Sequence, residues 1–221
     1  MLFWKKSLRE DLAWAAMNSD WRDGFLFVGN HLSLDFLNTR PVMNGNPVEL
    51  LPDCTSLARW LKAAALVPAR EAKRLERDWS ARPAFTGMLG ELWEFRDRLR
   101  RAVLQMEAGT LPSPPFIAKV NELLSAHPFI DEVIRMDSGL DRGKRFDPQV
   151  PLDVLGPIVD SVASLLTIPD KSRLRKCGGC ILHFYDTSKK GTRRWCSMNL
   201  CGNRSKVAAY TRRKRAELSG D

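Results

Sequence analysis

The stretch CGGCILHFYDTSKKGTRRWCSMNLC, residues 177–201, holds four of the five cysteines in a chain of 221 residues. Two residues separate Cys177 from Cys180, four separate Cys196 from Cys201, and fifteen lie between the two pairs. Short cysteine pairs of this kind bring two thiolates each to one tetrahedron, the geometry that Zn²⁺ prefers. So short a segment cannot bury enough apolar surface to fold without help. We therefore predict one structural zinc ion, Zn(2+), held by all four thiolates.

Three other interpretations of these cysteines stay open at this point. A catalytic zinc keeps one coordination position free, which four thiolates do not provide. Two disulfides are typical of an oxidising compartment, whereas the charged N-terminus and the lack of a long apolar run predict a cytoplasmic protein that does not enter a membrane. His183 could replace one thiolate. The fifth cysteine, Cys54, stands alone, and we assign it no role.

Positive charge is concentrated in the same part of the chain. Between residues 171 and 215 there are fourteen Lys and Arg and one acidic residue, while the remainder carries 21 basic and 25 acidic residues. Such a basic segment favours nucleic acid as the partner. After Cys201 the sequence predicts a helix capped at Asn203, with Val207 and Tyr210 facing the zinc site. The predicted phosphate-binding residues are Arg193, Arg194, Arg204, Lys206, Arg212, Arg213, Lys214 and Arg215.

The fold class predicted for the whole chain is mainly α. Apolar residues recur at helical spacing in segments 55–66, 68–79, 86–108, 113–124 and 152–166, and a small β-hairpin is expected between residues 129 and 146. We place domain boundaries at residues 1–24, an N-terminal extension, 25–169, a helical domain, and 170–221, a small zinc-ribbon-like finger that ends in a helix. Segment 31–39 is compatible with a strand or a helix.

Four polar residues in the helical domain are candidates for binding a small anionic ligand. Asp35, Asn38 and Thr39 lie on a mostly apolar segment, and Arg96 falls on the inward face of the longest predicted helix. An arginine in an apolar pocket could pair with an anionic group. The alternative is structural: a buried Asp35–Arg96 ion pair, with Asn38 and Thr39 bonded to backbone.

Two parts of the chain resemble known families. The motifs Arg194-Trp195-Cys196-Ser197-Met198 and Cys201-Gly202-Asn203-Arg204, with Asp186-Thr187-Ser188 ahead of them, resemble the CGNR zinc finger. Upstream, residues 29–39, 57–66 and 95–100 are similar to the ABATE domain that accompanies this finger. The resemblance implies a bacterial stress-induced transcription regulator with a mostly helical N-terminal domain and a DNA-binding finger.

The favoured function is therefore a zinc-dependent, DNA-binding transcription regulator whose N-terminal domain senses a small molecule. RNA binding and protein interaction through the same finger are the alternatives. An enzyme is not expected, because the three histidines are widely scattered and no phosphate-binding glycine loop or nucleophile motif occurs. A homodimer would help one small finger to reach specificity on DNA.

Overall fold

The computed structural model describes residues 3–4, 20–43, 45–127, 130–136 and 139–219. Helices dominate, which confirms the predicted fold class. In chain order they are α1 (Leu32–Leu37), α2 (Cys54–Ala63), α3 (Ala69–Ser80), α4 (Ala84–Glu107), α5 (Pro114–Ala126), α6 (Leu155–Leu166) and α7 (Asn203–Ser219), with a short 3₁₀ turn, Pro151–Val154, leading into α6. None of these described helices is long and apolar enough to cross a membrane.

The strands form four small antiparallel sheets. They are β1 (Phe3–Trp4), β2 (Trp21–Arg22), β3 (Phe25–Leu26), β4 (Val42–Met43), β5 (Asn46–Pro47), β6 (Ile130–Met136), β7 (Gly139–Arg145), β8 (Leu174–Lys176) and β9 (His183–Tyr185). The predicted hairpin is confirmed as β6–β7, with Ile130 opposite Arg145. β1 pairs with β7, so part of the predicted N-terminal extension belongs to the three-stranded sheet.

The core of the helical domain lies along α4. Leu89, Leu92, Leu99 and Val103 recur on one face of this helix and are almost fully buried. Apolar faces of α2 and α6 pack on the same core, and the predicted bounds of both helices hold within a few residues. At the start of α2 the cap is Asp53, whose carboxylate accepts a hydrogen bond from the Ser56 N–H at 2.7 Å.

Segment 31–39 folds as a helix, not as a strand. All six residues of α1 are buried, including Ser33 and Asp35, so every side of the helix contacts protein and alternation along the sequence carries no information about its conformation. Gly29 lies just before α1 in the chain and very close to the atoms of this helix. A Cβ atom at Gly29 would lie 2.7 Å from the Leu34 Cβ and 2.9 Å from the Asp35 nitrogen, which only glycine avoids.

The C-terminal finger is packed against the beginning of the helical domain. Leu26 and Val28 join the apolar cluster that surrounds the cysteines of the finger. The Tyr185 N–H donates to the Gly29 carbonyl at 2.8 Å, and the Asn30 side chain donates to the Tyr185 carbonyl at 2.9 Å. Residues 26–30 therefore position the finger, although residues 31–169 separate the two segments in the chain.

Candidate metal centre and basic surface

The four predicted cysteine ligands meet at one point. The Sγ atoms of Cys177, Cys180, Cys196 and Cys201 all lie within 4.8 Å of one another. Cys196 Sγ is 3.7 Å from both Cys180 Sγ and Cys201 Sγ, which is the separation expected between ligands on a tetrahedron with Zn–S bonds of about 2.3 Å. Four thiolate donors close the coordination sphere, so the site is a structural zinc site.

The charge balance of the cluster calls for a cation. Hydrogen bonds from the Cys180 and Cys196 thiols lower the pKa of Cys177, and backbone N–H groups of Cys196 and Gly179, at 3.2 and 3.4 Å from its sulfur, act in the same direction. The contact with Cys177 raises the pKa of Cys180 to about 12 and also raises that of Cys196. Four neighbouring thiolates repel each other, and a bound zinc ion removes that penalty.

A hairpin and a glycine shape the first cysteine pair. β8 and β9 flank the pair, and the Cys177 N–H donates to the Leu182 carbonyl at 2.8 Å. Trp195, which directly precedes Cys196 of the second pair, covers the turn. A Cβ atom at Gly179 would be 3.2 Å from both the Trp195 ring and the Cys201 Cβ, so the small residue lets the indole close over the turn.

The second pair is fixed by Ser197. Its Oγ accepts hydrogen bonds from the backbone N–H groups of Asn199 and Leu200, and it donates to Asp20 at 2.5 Å. A π-helical turn, Met198–Gly202, carries Cys201 and runs directly into α7. The cap of this segment is thus Ser197, and the prediction that Asn203 caps the helix is wrong, because Asn203 already has helical dihedral angles.

Two of the predicted phosphate-binding arginines are bonded inside the finger. The Arg193 guanidinium donates to the carbonyls of Trp195 and Cys196 and lies 4.4 Å from the centre of the Phe184 ring. Burial lowers the pKa of Arg193. Arg204 donates to the Gly179 carbonyl at 2.6 Å and approaches Cys201 Sγ at 3.4 Å. Both arginines therefore stabilise the turns that carry the cysteines.

The other predicted basic residues are exposed, as is Arg204 despite its hydrogen bond within the finger. Arg194 lies over the Trp195 ring, with its guanidinium carbon 5.5 Å from the ring centre. α7 presents Lys206, Arg212, Arg213, Lys214 and Arg215 to solvent. The prediction that Val207 and Tyr210 face the zinc site is wrong, since they are 64% and 59% exposed. Leu26 and Val28 fill the position that these two residues were expected to occupy.

The four candidate ligand-binding residues are bonded to other groups of the protein. All four side chains are buried, and each forms a hydrogen bond with another group of the protein. Asp35 accepts from the Gly29 N–H at 2.8 Å, and Thr39 donates to the Phe36 carbonyl at 2.6 Å. Arg96 donates to Thr39 at 2.6 Å and pairs with Glu49, so the carboxylate that balances its charge is Glu49 in place of the expected Asp35.

Asn38 instead joins the two parts of the chain. Its amide donates to the His183 carbonyl at 2.8 Å and accepts from the His183 N–H at 3.0 Å. His183 itself is not a zinc ligand in this arrangement, because its Nε2 lies 3.3 Å from Glu107 Oε2 on α4. Sequence reasoning missed Glu49 and Glu107, which contribute one carboxylate each to Arg96 and His183.

Comparison with known families places both parts of the chain. The sequence model of the ABATE family, described as "Putative stress-induced transcription regulator", matches residues 30–169, and that of the CGNR zinc finger matches residues 173–214. Among curated proteins no sequence matches significantly. The ABATE match spans more than half of the chain, and the CGNR match contains the four-cysteine cluster described above. The chain therefore belongs to the ABATE family and carries a C-terminal CGNR zinc finger.

Proposed function

We propose that this protein is a transcription regulator that binds duplex DNA through α7, and that zinc holds α7 in position. The carrying observation is the placement of this helix. Cys201, the last zinc ligand, lies in the turn that leads directly into α7, while the helix itself extends into solvent. The zinc ion thereby fixes the direction of a basic helix that has little other support from the protein.

The distribution of charge on α7 suits a groove with phosphates on both sides. The helix has 17 residues, about 26 Å at 1.5 Å per residue, with six Lys and Arg and one acidic residue. Lys206 and Arg213 share one face at 100° per residue, whereas Arg212 and Arg215 lie on a different one. The major groove of B-DNA is about 12 Å wide and admits one helix, so basic side chains on opposite faces reach both walls.

These features favour duplex DNA over duplex RNA. The major groove of A-form RNA is deep and too narrow for a helix to read. Arg194 beside Trp195 offers a further phosphate contact at the start of the surface. We define the DNA surface as Arg194, Lys206, Arg212, Arg213, Lys214 and Arg215. Arg193 and Arg204 are left out of it, because their guanidinium groups are bonded within the finger.

Small-molecule sensing by Asp35, Asn38, Thr39 and Arg96 is not part of the proposal, because each side chain already has a protein partner. The proposal assigns the chain no reaction. A cytoplasmic location and a homodimer on DNA stay predictions, and the stoichiometry of the protein–DNA complex tests the second of them.

The proposal is tested by removing charge from α7 without touching the finger. Duplexes selected from a random pool are titrated with the zinc-loaded protein, and affinity is measured by fluorescence anisotropy at several salt concentrations. We expect Arg212→Ala/Arg213→Ala to weaken binding to all duplexes. The slope of log K against log salt should become shallower by about 1.8, since each phosphate contact contributes about 0.9.

The matched control is Lys73→Ala/Arg77→Ala, which removes two exposed cations from another helix, α3. It should leave the affinity and the salt slope unchanged. Equal losses in both double variants would mean that only net charge matters. Full affinity of the α7 variant would contradict the proposed surface, and tighter binding to structured RNA than to any duplex DNA would replace it with the RNA-binding function.

A further inference from the structure

A cavity lies where the finger meets the helical domain. Its volume is about 320 Å³, at the lower end of the range for small-molecule sites. The helical domain contributes Arg40, Val42, Pro47, Asp97, Arg100 and Leu104, and the finger contributes Lys176, Ile181 and His183. The lining thus has apolar side chains at Val42, Leu104 and Ile181, and its charged residues are three cations and one acid, Arg40, Arg100, Lys176 and Asp97. None of the four ligand-binding residues predicted from the sequence lines this cavity.

The cavity carries positive charge that the protein does not neutralise. Arg40 pairs with Asp97 at 3.6 Å, and nearby Arg96 pairs with Glu49. Arg100 differs from both: its one hydrogen bond goes to the Leu37 carbonyl at 3.0 Å, and no carboxylate of a described residue lies within ion-pair distance of it. Burial and the proximity of Arg96 lower the pKa of Arg100, whereas the negative charge of Asp97 acts in the opposite direction. Its half-buried guanidinium therefore has no carboxylate in direct ion-pair contact, and Asp97, the acidic residue nearby, is already paired with Arg40.

A second uncompensated cation faces the same space from the finger. Lys176 ends β8 next to the zinc ligand Cys177, and it too has no carboxylate partner among the described residues. An anion placed between Arg100 and Lys176 would neutralise charges from both parts of the chain. Guanidinium binds planar carboxylates through two parallel hydrogen bonds, and the remaining N–H groups of Arg100 are available for that geometry.

We propose that this cavity binds a small organic monocarboxylate with a compact apolar body. The carboxylate pairs with Arg100 and Lys176, and the body contacts Val42, Leu104 and Ile181. Because the ligand touches the finger on either side of the first cysteine pair, it ties the finger to the helical domain. Any effect of this ligand on DNA affinity rests on the proposed function, whereas the binding of the ligand to the cavity is independent of it.

The test uses the zinc-loaded full chain and three carboxylates of different shape: benzoate, hexanoate and indole-3-acetate. Each is compared with its own primary amide and with inorganic phosphate, by calorimetry and by the NMR signal of the Arg100 side-chain Nε–H. We expect at least one carboxylate to bind about tenfold or more tightly than its amide, the difference that a charge-assisted hydrogen bond gives. That ligand should shift the Arg100 signal.

Variants separate the site from general anion binding. Lys176→Gln and Arg100→Gln should each weaken carboxylate binding about tenfold, whereas Lys190→Gln, which removes an exposed lysine of the same finger outside the cavity, should have no effect. Val42→Phe should block binding by filling the cavity, which keeps the test valid if Arg100→Gln fails to fold.

Three outcomes would overturn the proposal: no carboxylate binds better than its amide, inorganic phosphate binds as tightly as the best carboxylate, or Lys190→Gln weakens binding as much as Lys176→Gln. Duplex DNA is added only afterwards. If a carboxylate binds and no duplex does, the proposed function is refuted and the ligand site is not. If duplex DNA binds and no carboxylate does, the ligand site is refuted and the proposed function is not.

Discussion

Replacing Asn38 tests how the finger is held on the helical domain. Asn38 is fully buried and makes two hydrogen bonds to the backbone of His183, at 2.8 and 3.0 Å. Asn38→Ala leaves a buried N–H and a buried carbonyl unpaired. Each such group costs about 1–3 kcal/mol, so we expect the free energy of unfolding to fall by about 4 kcal/mol. That is a large part of the stability of a typical domain, about 5–15 kcal/mol.

The assay is urea unfolding of the zinc-loaded protein, followed by tryptophan fluorescence, together with the rate at which a chelator removes zinc. Because these two bonds also help to hold the finger on the helical domain, the variant should release zinc faster as well. Asn121→Ala is the control, since Asn121 is exposed on α5, and surface changes of this kind usually stay within about 0.5 kcal/mol. A loss below about 1 kcal/mol in Asn38→Ala, with unchanged zinc release, would refute the reasoning.

Three further predictions concern the helical domain, and urea unfolding measures each of them. Glu49→Gln should lower the free energy of unfolding by about 3 kcal/mol, because Arg96, only 1% exposed, loses its counter-charge. Removing the arginine as well, in Arg96→Met/Glu49→Gln, should restore part of this loss, and a double variant no more stable than Glu49→Gln would contradict the explanation. Gly29→Ala should lower the free energy of unfolding by about 2 kcal/mol through overpacking. Gly90 lies in α4 with open space around it, so Gly90→Ala should raise the free energy of unfolding by about 0.5–1 kcal/mol. Equal effects of the two substitutions would contradict this prediction. Burial lowers the pKa of His31 to about 4, below its usual 6.5. Between these two pH values the unfolded chain binds a proton at His31 that the folded chain does not, so the free energy of unfolding falls as the pH drops from 6.5 towards 4. Wild type should lose about 2 kcal/mol more than His31→Asn between pH 7 and pH 5, and parallel pH profiles would exclude this role of His31.

The parts of the structure that were predictable from the sequence depend on local patterns. Helix α4 has a regular apolar face and a glycine after its end, so its bounds and the inward position of Arg96 follow from spacing. The zinc ligands are equally local, since the two short cysteine pairs lie within twenty-five residues and the hairpin β8–β9 encloses the first pair. In both cases neighbouring residues determine the geometry.

Partners from distant segments could not be predicted in this way. Glu49 pairs with Arg96 across 47 residues from a loop without periodicity, and no pattern marks Glu49 as the counter-charge in place of Asp35. The same holds for the interior of the finger. Val207 and Tyr210 are the apolar residues next to the basic run, yet Leu26 and Val28 supply the packing, because tertiary contacts override proximity in sequence.

The central claim is that zinc positions α7 for contact with duplex DNA, and mapping of backbone amide signals tests it most directly. The ¹⁵N-labelled, zinc-loaded chain is titrated with a duplex chosen by selection from a random pool. We predict that the largest shift changes follow α7 and Arg194, and that they vanish when a chelator removes the zinc. Shift changes confined to the helical domain, or a response along α7 that persists without zinc, would contradict the account.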